Sequence, residues 1–166
     1  MAFVLPGEPL VLRPASFDDV HHHTRTPDPK VKLGDVLRHA PLVLVRYVRP
    51  DGTETMRFGP VLRHLWSGEI LCVVTASPAG TVDVRRDTIT HLWRVDVRDY
   101  AAALESQPRV WVRSRGQSVE GQVVRVNRTS AEVEFTTRST RAVSTTVRRY
   151  HIAEITPVHV GELRFG

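Results

Sequence analysis

The stretch Val84-Arg85-Arg86-Asp87-Thr88-Ile89-Thr90-His91-Leu92-Trp93-Arg94-Val95-Asp96-Val97 returns 63 positions later as Val147-Arg148-Arg149-Tyr150-His151-Ile152-Ala153-Glu154-Ile155-Thr156-Pro157-Val158-His159-Val160. Both copies read Val-Arg-Arg, then an isoleucine, then Leu92 or Ile155, then Val-x-Val. Upstream the match continues at an offset of 62: Gly59-Pro60-Val61-Leu62-Arg63 aligns with Gly121-Gln122-Val123-Val124-Arg125, and Leu71-Cys72-Val73-Val74-Thr75 aligns with Val133-Glu134-Phe135-Thr136-Thr137. One residue inserted between Thr137 and Val147 accounts for the change of offset. Repetition at a fixed period marks a duplicated unit, and here glycine and apolar positions keep phase together.

Each copy reads as short strands broken by turns. In residues 41–98, Leu42-Val43-Leu44-Val45-Arg46-Tyr47-Val48 is rich in β-formers and Pro50-Asp51-Gly52 turns the chain back. Residues 55–65 form a second strand that can bend at Gly59, since a glycine inside a strand marks a bulge or a close approach. Ser67-Gly68 and Ser77-Pro78-Ala79-Gly80 bracket a third strand, and residues 81–85 and 92–97 supply two more. In residues 109–160, Arg109-Val110-Trp111-Val112-Arg113 turns at Arg115-Gly116 into a strand with Gly121 at its corner. Ala131-Glu132-Val133-Glu134-Phe135 then alternates apolar with charged residues at the two-residue period of a half-buried strand. The Ser/Thr/Arg-rich residues 136–146 read as a long hairpin end. Such spacing leaves no room for crossover helices, so the fold class expected is all-β: two tandem small antiparallel barrels. Residues 99–108 join them through a short helix built on Tyr100-Ala101-Ala102-Ala103-Leu104-Glu105 and stopped at Pro108. Residues 1–40 have no counterpart in either copy and read as an N-terminal arm, and residues 161–166 as a tail. Within the arm, residues 8–13 suggest an edge strand, and Ser16 caps a short helix opened by Asp18 and Asp19.

Strand, turn, long bent strand with a central glycine, third strand, and short closing strand together resemble the small-barrel group of SH3, Tudor, KOW and Sm-like folds. The first copy, with Arg46-Tyr47-Val48-Arg49-Pro50-Asp51-Gly52 and Val82-Asp83-Val84-Arg85-Arg86-Asp87, is also similar to the Sm-like WYL domains of bacterial regulators. It departs from them where Glu69-Ile70-Leu71 stands in place of the aromatic pair. The resemblance implies a barrel architecture, and with the WYL-like part a small-molecule-sensing role. Such barrels serve many functions.

Bulk properties narrow those functions. The 166 residues are 41% hydrophobic, carry a formal net charge of +5 and include two lysines, Lys30 and Lys32, so the basic charge is almost all arginine. Arginine's planar fork suits phosphate, although GC-rich codon usage also yields arginine in place of lysine. Distribution favours the first view: residues 109–149 hold nine arginines against three carboxylates, whereas residues 41–98 hold eight against six. No run nears the ~18 apolar residues of a membrane span, and the first residues lack a basic, then apolar, leader pattern, so a cytoplasmic location, or a virion, is expected. Cys72 is the single cysteine, which rules out an intrachain disulfide. Gly-x-Ser-x-Gly, a phosphate-cradling glycine loop and Cys-x-x-Cys are all absent, so catalysis is not expected and no cofactor is implied.

The candidate nucleic-acid-binding residues are Arg85, Arg86, Arg148 and Arg149 at the two strand ends, and Arg113, Arg115, Arg125 and Arg128 in the more basic copy. Trp111 and Tyr150, with Trp93, are placed to stack on unpaired bases. The competing assignments are a solvated polar face for the arginines and core packing for the aromatics. His21-His22-His23 invites a metal, yet three consecutive imidazoles diverge on any regular backbone, and a solvated or helix-capping run is the reading preferred. The expected function is therefore non-enzymatic binding of the nucleic-acid backbone through an Arg-rich barrel face. The alternative is a structural protein of a phage particle or other multi-subunit complex, using barrel edges and the arm to pair with protein subunits.

Overall fold

The computed structural model describes residues 10–138 and 140–159. The tail and residues 8 and 9 of the expected edge strand lie outside them. The described chain is mostly β and forms two compact units. One takes residues 12–75 and 79–96; the other takes 76–78 and the described residues from 97 on, with Leu10 and Val11.

The first unit contains β1 (Arg13–Pro14), α1 (Phe17–His22), α2 (Leu33–Leu37), β2 (Leu42–Val48), β3 (Glu54–Arg63), β4 (Ile70–Val74), β5 (Thr81–Arg85), a 3-10 turn at Arg86–Thr88 and β6 (Ile89–Val95). Its sheet runs β1-β6-β2-β3-β4-β5, antiparallel throughout. The second contains α3 (Val97–Ala103), a 3-10 turn at Leu104–Ser106, β7 (Arg109–Ser114), β8 (Gln117–Val126), β9 (Ser130–Arg138), β10 (Val143–His151), a 3-10 turn at Ile152–Glu154 and β11 (Thr156–Pro157). Its antiparallel sheet runs β10-β9-β8-β7-β11. Leaving β1 aside, the two orders are the same. The closed barrels expected from strand count are not given by this pairing: each sheet is open, because a 3-10 turn carries the chain from the fourth strand to the closing strand without laddering the two together.

The glycines that anchored the repeat do the same work in both sheets. β3 pairs with β2 as far as Pro60 opposite Leu42, then takes β4 from Val61 opposite Val73. β8 likewise leaves β7 and takes β9 at Gln122. The strand bends hard at each handover, and the next strand's backbone presses on the glycine. A Cβ on Gly59 would overlap the Val74 carbonyl oxygen, and one on Gly121 would lie 2.7 Å from both Glu134 O and Val133 Cγ1.

The same contacts correct two registers read from sequence. Val73 opposes Val61 and Val133 opposes Val123, so the third strands correspond at an offset of 60, not 62. A shift of two keeps the same side chains inward. The fourth strands differ by more: Val84 opposes Leu71, whereas Tyr150 opposes the matching Ala131. That offset is 66, three away from the Val-Arg-Arg echo. An odd slip reverses faces, and Val84 is 1% exposed where Val147 is 50% exposed. Only the end of the echo holds, because the closing strands pair Leu42 with Val95 and send the Val158 N–H to Arg109 O.

The arm is not a detached appendage. Ser16 caps α1 as expected, accepting the Asp19 N–H at 3.1 Å. Phe17 and Val20 then bury in the first core with Val43, Val45, Tyr47, Val61, Leu71, Val73, Val84 and Leu92. Burial of two such side chains is worth about 1.5–3 kcal/mol each, enough to hold the segment. In the second unit α3 docks through Tyr100, fully buried, whose hydroxyl donates to Ile155 O at 2.9 Å. The helix stops as the sequence indicates, with Gln107 in the left-handed region at φ 58° before Pro108.

Candidate nucleic-acid interface

Inward and outward faces follow from the ladder, since directly opposed residues share a face. Buried Val112 opposes Val119, and buried Val133 opposes Arg148 on one side and Val123 on the other. The inward phase of β10 is therefore Ser144, Thr146, Arg148 and Tyr150, and it meets Thr137, Phe135, Val133 and Ala131 of β9. Along this sheet the inward face starts apolar and turns to hydroxyls and arginine. The result is a cleft of about 490 Å³ between the β7–β8 turn and the arms of the β9–β10 hairpin, lined by Arg115, Arg138 and Arg148 with Ser114, Gln117, Val119 and the hydroxyls of Thr136, Thr137, Ser144 and Thr146.

Matched positions in the first unit show what this replaces. By pairing, Ser114 stands where Tyr47 stands in the first sheet, and Arg148 where Val82 stands. Tyr47 belongs to the first core and Val82 packs against it. What is core in one sheet is polar cleft in the other.

Local structure aims the guanidiniums. Arg115 and Gly116 have φ of 53° and 77°, the two positive values of a tight type I′ hairpin turn. Glycine tolerates that region freely, whereas a side chain there costs about 1 kcal/mol. Arg115 accepts that strain at the cleft mouth. Arg148 comes from the inward phase of β10, and Arg138, paired with the outward Val143, lines the cleft from the end of β9. Among the described residues no carboxylate lies within 4.0 Å of any of these three. Burial raises the pKa of the Tyr150 phenol, and the neighbouring Arg148 charge works in the opposite direction.

The other expected site residues are dispersed. Arg85 pairs with Asp87 at 3.1 Å. Arg86 makes two bonds to Asp18, at 3.0 and 3.2 Å, and lies 4.9 Å from the centre of the Phe17 ring, so it secures α1. Arg149 meets Glu132 at 3.7 Å, and Arg125 lies across from the same glutamate in the ladder. Arg113 is exposed and donates to Ser77 O at 3.4 Å. Arg128 is exposed in the β8–β9 turn, at the far end of β8 from Arg115. Trp111 is half-buried on the outward face opposite Glu120, and Tyr150 is half-buried on the inward face, so the two form no common stacking platform. Trp93 stacks on His91 at 5.3 Å.

Of the histidine run, His21 stacks on Phe17, the His23 ring binds Asp19 O at 2.8 Å, and His22 meets His23 edge-on. Among the described residues no three histidine, cysteine or acidic side chains gather to hold a metal. No helix among them is long and apolar enough to cross a membrane.

Sequence reading missed Arg138, placed in a loop, and the hydroxyl row around it. The available signal was phase: Ser144, Thr146 and Arg148 recur every second residue where an inward face calls for apolar groups. It also missed Trp66, 89% exposed beside Leu65 at 63%, because the second strand was carried through Leu65 and ends at Arg63. No family model, no curated protein and no solved structure matches the chain.

Proposed function

We propose that the second unit binds the phosphate backbone of nucleic acid in the cleft of Arg115, Arg138 and Arg148. The observation that carries this reading is that Arg115, Arg138 and Arg148, with no carboxylate within 4.0 Å among the described residues, line one cleft together with serines and threonines. Guanidinium forks give charge-assisted, two-pronged bonds to phosphate oxygens, and serine and threonine hydroxyls complete the set commonly found on phosphate and sugar. Among the described residues the lining contains no carboxylate, histidine or cysteine, and we read the protein as a binder rather than an enzyme. We also read each sheet as an SH3/Sm-like barrel left partly open; the shared strand order, the glycine bend and the 3-10 turn before the closing strand support that assignment.

Neutralising three phosphates gives log K a slope against log salt of about −2 on single strands and about −3 on duplex. Fluorescence anisotropy with labelled oligonucleotides across a salt series measures it. An affinity that does not change with salt contradicts the proposal.

A further inference from the structure

Among the described residues, the four edges of the two sheets are unequally protected. β1 and β11 are two residues long, and β11 ends in Pro157. β5 is five residues long and carries Asp83 and Arg85. β10 runs nine residues, pairs on one side with β9, and has no charged residue or proline from 142 to 147. Natural edges are blunted by charge, proline or shortness, and β10 has none of these in its first half, its arginines, Arg148 and Arg149, lying in the second. Its outward valines are exposed, Val143 at 68% and Val147 at 50%.

The first half of β10 is also nearly palindromic: Val143-Ser144-Thr145-Thr146-Val147 reads Val-Thr-Thr-Ser-Val in reverse. We propose that β10 is a self-complementary edge that pairs antiparallel with β10 of a second copy, on a two-fold axis through Thr145. In that register each Val143 faces the other copy's Val147, Thr145 faces itself and Ser144 faces Thr146. A two-fold interface requires this matching of a surface with itself, and β-branched cross-strand pairs are among the favourable ones. Like charges meet only further out, Arg141 against Arg149, where Arg149 already contacts Glu132. The axis stands perpendicular to the sheet, so the inward faces continue across it and both clefts open on the same side. Dimerisation does not depend on what the cleft binds.

A single strand pair is a small interface, at the low end of those that are specific. The full chain, freed of nucleic acid at high salt, is expected to show a concentration-dependent monomer–dimer equilibrium in sedimentation velocity between about 1 and 300 µM. Thr145→Lys opposes two ammonium groups at the axis and should weaken the dimer on the order of tenfold or more with unchanged circular dichroism, because Thr145 is exposed. Thr145→Cys should cross-link between copies on mild oxidation, since opposed Cα atoms at about 4.5–5.5 Å fit a disulfide. The parent chain with Cys72, and Thr129→Cys, should not. A monomer throughout that range overturns the proposal. So does a dimer that T145K leaves intact and T145C fails to cross-link.

Discussion

The two sheets share a strand order and a glycine bend, yet differ on the inward face, where the second places Arg148 and a row of hydroxyls. In the first unit Arg46, Arg85 and Arg86 each meet a carboxylate, and Arg86 through Asp18 holds α1, whose Phe17 and Val20 pack in the core on the sheet's inward face. In the second, Ser114 and Arg148 replace Tyr47 and Val82, and the same side opens as a cleft. A duplicated backbone plan therefore does not duplicate chemistry, because the inward phase of a few residues decides between core and site.

The sharpest way to break the comparison is at its shared feature. Gly59→Ala and Gly121→Ala each drive a methyl group into the neighbouring strand's carbonyl and should destabilise by about 3 kcal/mol apiece, read by urea unfolding. If one is tolerated, the two bends are not equivalent.

The register correction gives the next largest effect. Val84→Ala should cost about 2 kcal/mol, because Val84 is buried, while Val147→Ala should stay within about 0.5 kcal/mol. Equal effects would restore the sequence echo as a structural equivalence.

A smaller effect concerns Cys72, whose thiol is pushed up to about 12 by burial and by the Asp83 carboxylate opposite it. A raised folded pKa favours the protonated form. Its contribution to stability is therefore full below the ordinary value of 9.0 and is lost as pH rises through about 12. At pH 8 alkylation of the folded protein should run at least about a hundredfold slower than in urea, measured by mass spectrometry. Equal rates would place the thiol in the open.

Much of the architecture was legible because glycine and alternation are local signals. Gly59 and Gly121 located both bends, Ser16 the first helix start, and Ala131 to Phe135 an inward face. The Val-Arg-Arg motif misled because strand correspondence is set by cross-strand partners, and Val and Arg are common enough here to match in the wrong phase. The surplus of positive charge pointed to the copy that holds the proposed cleft. It did not separate Arg115 and Arg148, which share the cleft, from Arg85, Arg86 and Arg149, whose carboxylate partners include residues distant in sequence. Arg138 was missed because the hairpin arms extend further than a Ser/Thr-rich composition suggests.

The most direct test sets the two groups of arginines against each other in one binding assay. Arg115→Ala, Arg138→Ala and Arg148→Ala combined should lower affinity for a labelled oligonucleotide by at least about a hundredfold at low salt and remove most of the salt dependence. Arg85→Ala, Arg86→Ala and Arg149→Ala combined remove the same formal charge and should change affinity by less than about threefold. Equal losses from both sets would mean that net charge, rather than the cleft, binds the ligand.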